Sequence, residues 1–184
     1  MRLLKQPKEL QGVRLAKLGV RGTIAYLQCN KPNGIEVWSV DTLVPGSYTL
    51  LFFIPLHELY YNHATYCYAR QRIFVFSVAL QEQGEEGMSV VLYEMDPQSK
   101  QMKRYYLDPS AVDELFSIPL HNASIGVGKE NMFIYDRSII KGTIPYWYIN
   151  ISEEDTFTFT RNDIPGMDGL ESSRFPLEFN GESR

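Results

Sequence analysis

The chain alternates short aromatic and β-branched runs with turn residues, the signature of strands rather than of amphipathic helices. A first set reads TIAYLQC (23–29), IEVWSVD (35–41) and YTLLFFIPL (48–56), divided by turns at Asn30–Gly34 and Pro45–Ser47. A second reads TYCYA (65–69), RIFVFSVAL (72–80), SVVLYEMD (89–96) and MKRYYL (102–107), with an acidic 84–87 loop and a turn at Pro97–Ser99. A third reads ASIGV (123–127), NMFIYD (131–136), GTIPYWYINI (142–151) and DTFTFT (155–160). Period-2 alternation puts Ile35, Val37, Ser39 and Asp41 on one face of their strand and Glu36, Trp38 and Val40 on the other. Residues 109–116 have room for a turn or two of helix, but few windows sustain helical periodicity, so the expectation is all-β.

Four segments recur in the same order. LFFIPLH (51–57) returns as LFSIPLH (115–121), matching six of seven positions. IEVWSVD (35–41) resembles VVLYEMD (90–96), RIFVF (72–76) resembles NMFIY (131–135), and GTIAY (22–26) returns as GTIPY (142–146). Repeats of about 60 residues with three or four strands each suggest propeller blades, because blades are copies of one another. The chain supplies about three, whereas closed rings usually have at least four. It is therefore expected to be a partial propeller, an unclosed array, or a half-ring completed by a second copy in a homodimer.

Composition adds limits. The 13% aromatic share favours half-buried strands. A net charge of −4 argues against a general nucleic-acid or anionic-membrane binder. Charge is uneven: Met1–Arg21 carries six basic residues against Glu9, read as a solvated basic leader over 1–17. The β-repeat domain follows over 18–160, and an irregular tail of Pro, Gly, Ser and charge over 161–184. Cys29 and Cys67 are too few for a disulfide framework or a four-cysteine zinc site and read as buried free thiols. No apolar leader core and no stretch of about 20 apolar residues is found, so a cytoplasmic or nuclear location is expected despite sequons at Asn122 and Asn150.

The chemistry-bearing residues are sparse. His57 and His121 follow the same Ile-Pro-Leu motif, which favours a structural role. His63 precedes Cys67 by four residues, a spacing that on a strand spans roughly 13 Å and cannot close on one ion. Gly126-x-Gly128-Lys129 reads as a tight turn, since no helix follows it to form a phosphate cradle. Adjacent carboxylates at Glu85-Glu86 and Glu153-Glu154 point to opposite faces of a strand, which opposes two-carboxylate hydrolysis. Aromatic clusters remain: Tyr60-Tyr61-Asn62-His63, read as an inter-strand connection, and Tyr146-Trp147-Tyr148 after Pro145. Loop aromatics are favoured binding anchors, while in a propeller they also pack between blades.

LGVRGTIAY (18–26), GIEVWSVD (34–41) and LFFIP (51–55) together resemble the F-box-associated domain of plant F-box proteins. VLYEMD (91–96) and MFIYD (132–136) are similar to that family's later aliphatic–Tyr–Asp strands, so the resemblance covers about Leu18 to Asp136. It implies a propeller-like domain that recruits a protein or glycoprotein for ubiquitination. No leucine- and proline-rich F-box segment precedes Leu18, so the expectation is the recognition half alone. The expected function is thus a non-enzymatic recognition module without catalytic residue, metal or cofactor, contacting a protein partner through Tyr60, Tyr61, His63 and Trp147. The competing expectation is a small-ligand-binding or hydrolytic protein with a central pocket between blades.

Overall fold

In a computed structural model of the protein, which describes residues 7–56, 59–80, 88–138 and 143–165, the alternating runs become strands. Strands hold 63% and helix 10% of the described residues, so the chain is mostly β. It divides into two compact units, Met1–Lys103 and Arg104–Arg184.

In the first unit, β1 (Leu15–Arg21), β2 (Ile24–Lys31), β3 (Gly34–Asp41) and β4 (Thr49–Pro55) form one antiparallel meander in sequence order. A bulge between Val37 and Trp38 shifts the β3–β4 register, which leaves Leu51 as the extra residue on β4. A second meander begins with β5 (Leu59–Cys67), β6 (Arg72–Leu80) and β7 (Met88–Asp96). Next to β7 lies β8 (Gln101–Leu107), which carries the chain into the second unit.

Alternation decides what each face buries. Ile35, Val37, Phe52, Ile54 and Tyr26 from the first meander pack with Tyr66, Ile73, Val75, Val91, Tyr93 and Met95 from the second in one core. The opposite face of β2 and β3 presents Cys29 and Trp38, and Leu10 covers them. The two faces read from IEVWSVD are therefore the two faces found. On β6, Phe74 and Phe76 are as fully buried as Ile73 and Val75, so this strand is covered on both sides. A doubly covered strand needs no polar alternation, which explains the unbroken run RIFVFSVA.

Among its described residues the second unit holds the end of β8, a short α-helix and four further strands. β9 (Ala123–Val127), β10 (Met132–Asp136), β11 (Thr143–Ile151) and β12 (Thr156–Pro165) pair antiparallel in sequence order. β12 also pairs in parallel with the end of β8 through Thr156–Tyr106 and Phe157–Leu107. Before β9 runs α1 (Val112–Ser117), preceded by a 3-10 turn at Pro109–Ala111. Asp108 starts this segment by accepting a hydrogen bond from the Ser110 backbone N–H at 2.9 Å, with Pro109 in the first turn.

Several expectations change here. The match between LFFIPLH and LFSIPLH is not a structural repeat: Leu51–Pro55 is strand, whereas Leu115–Ser117 ends α1. Asp108 and Pro109 commit the second copy to a helix, while pairing with β3 holds the first extended. GTIAY opens the second strand of its meander and the Thr143–Tyr146 part of GTIPY the third of its own, so that pair is not equivalent either. β3 with β7 and β6 with β10 do occupy matching positions. Tyr60 to His63 belong to β5, not to a connection. The basic leader is not simply solvated, because β1 begins at Leu15 and Leu10 is fully buried. β12 continues past Thr160 to Pro165, so the first residues assigned to the tail are strand. His57, the 84–87 loop and residues 166–184 lie outside the described residues.

The N-terminal segment is held by more than Leu10. Lys31 Nζ donates to the Glu9 carbonyl at 2.6 Å and pairs with Glu36 at 3.8 Å, while Glu36 accepts from Trp38 Nε1 at 2.9 Å. Leu10→Ala is expected to cost about 2–5 kcal/mol, as for other fully buried leucines. Chemical denaturation of the full chain checks this, and a loss near zero would return the segment to a solvated leader.

Candidate functional site

The expected aromatic anchors differ in exposure. Tyr60 is 72% exposed and sits at a register shift between Leu59 and Tyr61. The bulge turns it out of the sheet's regular alternation. Tyr61 is partly exposed, its ring edge-on to Phe76 at 6.1 Å between centroids. His63 lies opposite Phe76 in the β5–β6 register and is partly exposed. Trp147 is 2% exposed and donates from Nε1 to Ser117 Oγ at 3.2 Å. It is a core residue under α1 and no surface anchor. The tyrosines on either side of it face the other way.

That opposite face carries an aromatic surface in which Tyr146 and Tyr148 join two rings of β10. Phe133 and Tyr135 on β10 lie directly across from Tyr148 and Tyr146 on β11. Ring centroids are 5.9 Å apart for Phe133–Tyr135, 6.3 Å for Phe133–Tyr146 and 5.1 Å for Tyr146–Tyr148. All four rings are partly exposed, whereas Met132, Ile134, Trp147 and Ile149 behind them are buried. Gly126 on β9 makes room for the first ring, since a Cβ there would lie 2.5 Å from Phe133 Cζ. The signal available in sequence was the alternation Phe133-x-Tyr135 and Tyr146-x-Tyr148, with Ile134 and Trp147 between.

A second feature belongs to the first unit. An open cleft of about 340 Å³ is lined by Arg21, Ile24, Tyr26 and Ser39 from the first meander. Leu51, Pro97 and Gln98 complete it. Arg21 and Ile24 are register partners, as are Tyr26 and Ser39, which brings these four residues to one end of the sheet. With its amide oriented to satisfy both groups, Gln98 accepts from the Arg21 guanidinium at 2.5 and 3.2 Å.

The carboxylates nearby are already engaged. Asp96 pairs with Arg72 at 3.2 Å and accepts from the Gln98 backbone N–H at 2.8 Å. That backbone hydrogen bond is the foremost reason its carboxyl is held below the ordinary range, followed by Ser99 and Arg72. Asp41 and Asp136 close their strands in the same way, accepting from the N–H two residues on at 3.0 and 2.8 Å. These aspartates are turn formers, and among the described residues no group of three or more His, Cys, Asp or Glu gathers to hold a metal.

Burial sets the remaining titrations. It pushes the Cys29 thiol above its ordinary 9.0, with Lys31 opposing and Glu36 assisting. Tyr26 and Tyr66 are raised above 10.0 by burial first. Tyr146 is also raised, by burial and then by its hydrogen bond with Tyr148. Neither cysteine is in a disulfide and both are buried, as their aromatic surroundings suggested.

Comparison with protein families, with curated proteins and with solved structures finds no match to this chain. No helix of the described residues is long and apolar enough to cross a membrane.

The raised thiol and phenols fix the sign of one pH effect. The unfolded chain loses these protons at their ordinary values, while the folded chain keeps them to higher pH. Their contribution is therefore complete below about pH 9 and is lost as pH rises through the folded values. Denaturant midpoints should fall from pH 9 to 11. A midpoint that is flat or rising over that interval contradicts the burial assigned to Cys29, Tyr26 and Tyr66.

Proposed function

We propose that the chain is a non-enzymatic protein-recognition module built of propeller-like blades, resembling the F-box-associated domain of plant F-box proteins. The observation that carries this reading is the partly exposed face of Phe133, Tyr135, Tyr146 and Tyr148. Aromatic rings anchor protein interfaces because they bury large apolar area with few torsions to freeze, and tyrosine adds a hydroxyl that tolerates the wet rim. Tyr60 supplies an exposed contact on the first unit.

The blade reading takes β1–β4, β5–β8 and β9–β12 as three runs in sequence order, although among the described residues only β1–β4 forms a separate four-stranded sheet and the other eight strands are hydrogen-bonded into one. The family-like segments 35–41, 91–96 and 132–136 each end a strand in an aspartate that closes the following turn. In this reading the module captures a protein or glycoprotein for ubiquitination in the cytoplasm or nucleus, and a second copy completes the ring.

The test is affinity capture with the full chain, comparing Tyr146→Ala/Tyr148→Ala, Tyr60→Ala and the unaltered protein, with folding followed by circular dichroism. Removing the two tyrosines together should weaken capture by roughly a hundredfold, the effect of losing a hot-spot pair. Tyr60→Ala should have a smaller effect. Capture unchanged by either variant would end the recognition reading at these surfaces. Light scattering tests the ring separately: a discrete species near twice 21.2 kDa supports completion by a second copy, and a monomer removes it.

A further inference from the structure

The cleft in the first unit has a chemistry of its own, independent of the aromatic face. Its polar lining is made of donors. Arg21 brings a guanidinium, Ser39 and Tyr26 bring hydroxyls, and Gln98 brings an amide. The Gln98 oxygen is taken by Arg21, which fixes the guanidinium at the cleft wall. Among the described residues, Arg21 has no carboxylate within ion-pair distance. Asp96 is bound to Arg72 and the Gln98 backbone, and Asp41 to the Leu43 backbone. A guanidinium lining a concave site without a counter-ion, beside further donors, is complementary to an anion.

The other walls set the rest of the ligand. Ile24, Leu51 and Pro97 are apolar. A volume of about 340 Å³ lies at the small end of ligand pockets, about 300–1,000 Å³. One positive charge matches one negative charge better than it matches a doubly ionised phosphate ester. We infer that this cleft binds a carboxylate bearing a short apolar group, with Arg21 as its charge partner and Ile24, Leu51 and Pro97 around the apolar part. The same chemistry is offered by a free aliphatic acid and by the C-terminal residue of a polypeptide.

The experiment is an NMR titration of the full chain, following the Gln98 side-chain amide and the Arg21 resonances. Four probes are used: isovalerate, isovaleramide, N-acetylleucine and N-acetylleucinamide. Each acid should bind more tightly than its amide by roughly ten- to a hundredfold, as expected for a charge-assisted contact. Arg21→Met should remove the same factor from acid binding. Stronger binding of N-acetylleucine than of isovalerate supports a chain terminus as the source, and the reverse order supports a free acid. Acid and amide binding equally, or no probe moving these resonances at millimolar concentration, overturns the inference. The acid–amide comparison needs no variant, so the test stands even if Arg21→Met fails to fold.

Discussion

The first unit depends on one close approach. Tyr66 on β5 lies against Gly19 on β1 so tightly that a Cβ on Gly19 would fall 2.6 Å from the Tyr66 Cβ. With nothing in the way, the Tyr66 ring reaches Tyr26, 4.9 Å between centroids and tilted by 31°. This contact seats the first meander on the second and aligns two rows of β-branched residues into one core. Gln28, 6% exposed, bridges the same two meanders by donating to Asn62, so the buried polar group at this contact has its partner. The cleft at Arg21 and Tyr26 lies beside this contact and takes its walls from both meanders.

Once the core is closed on one side of β2 and β3, the other side must be covered too. Trp38 and Cys29 face away from the central core, and Leu10 with Val13 and Tyr48 packs on them. A segment that reads as a charged leader thus performs a core function, because Leu10 meets an apolar surface that its charged neighbours do not. Lys31 holds the same segment through the Glu9 carbonyl and is itself paired with Glu36. Surface ion pairs of this kind contribute little by themselves, and the burial of Leu10 is the larger effect.

In the second unit, a period of two divides one aromatic cluster between two purposes. Trp147 points into the core and its indole N–H finds Ser117, while Tyr146 and Tyr148 point outward beside Phe133 and Tyr135. An indole buried with its donor satisfied belongs to stability. Partly exposed phenols are the rings that the proposed recognition function would use. The recognition reading therefore moves from the tryptophan to its neighbours, and the register of β10 against β11 decides which rings stand together.

Local chemistry was enough to read the strand runs, the turns at 30–34, 45–47 and 97–99, the two faces of β3 and the buried thiols, whereas Gly126, read as part of a tight turn, lies in β9 and the turn follows at 128–131. Each follows from side-chain alternation or turn preference within a few residues, and such preferences act before any distant contact forms. The unlike fates of LFFIPLH and LFSIPLH were not legible, because six matching residues become strand or helix according to what precedes and pairs with them. Nor were the burial of Leu10, the assembly of Phe133, Tyr135, Tyr146 and Tyr148, and the cleft at Arg21. These join residues far apart along the chain, and only strand register and the packing of one face on another bring such residues within reach of each other.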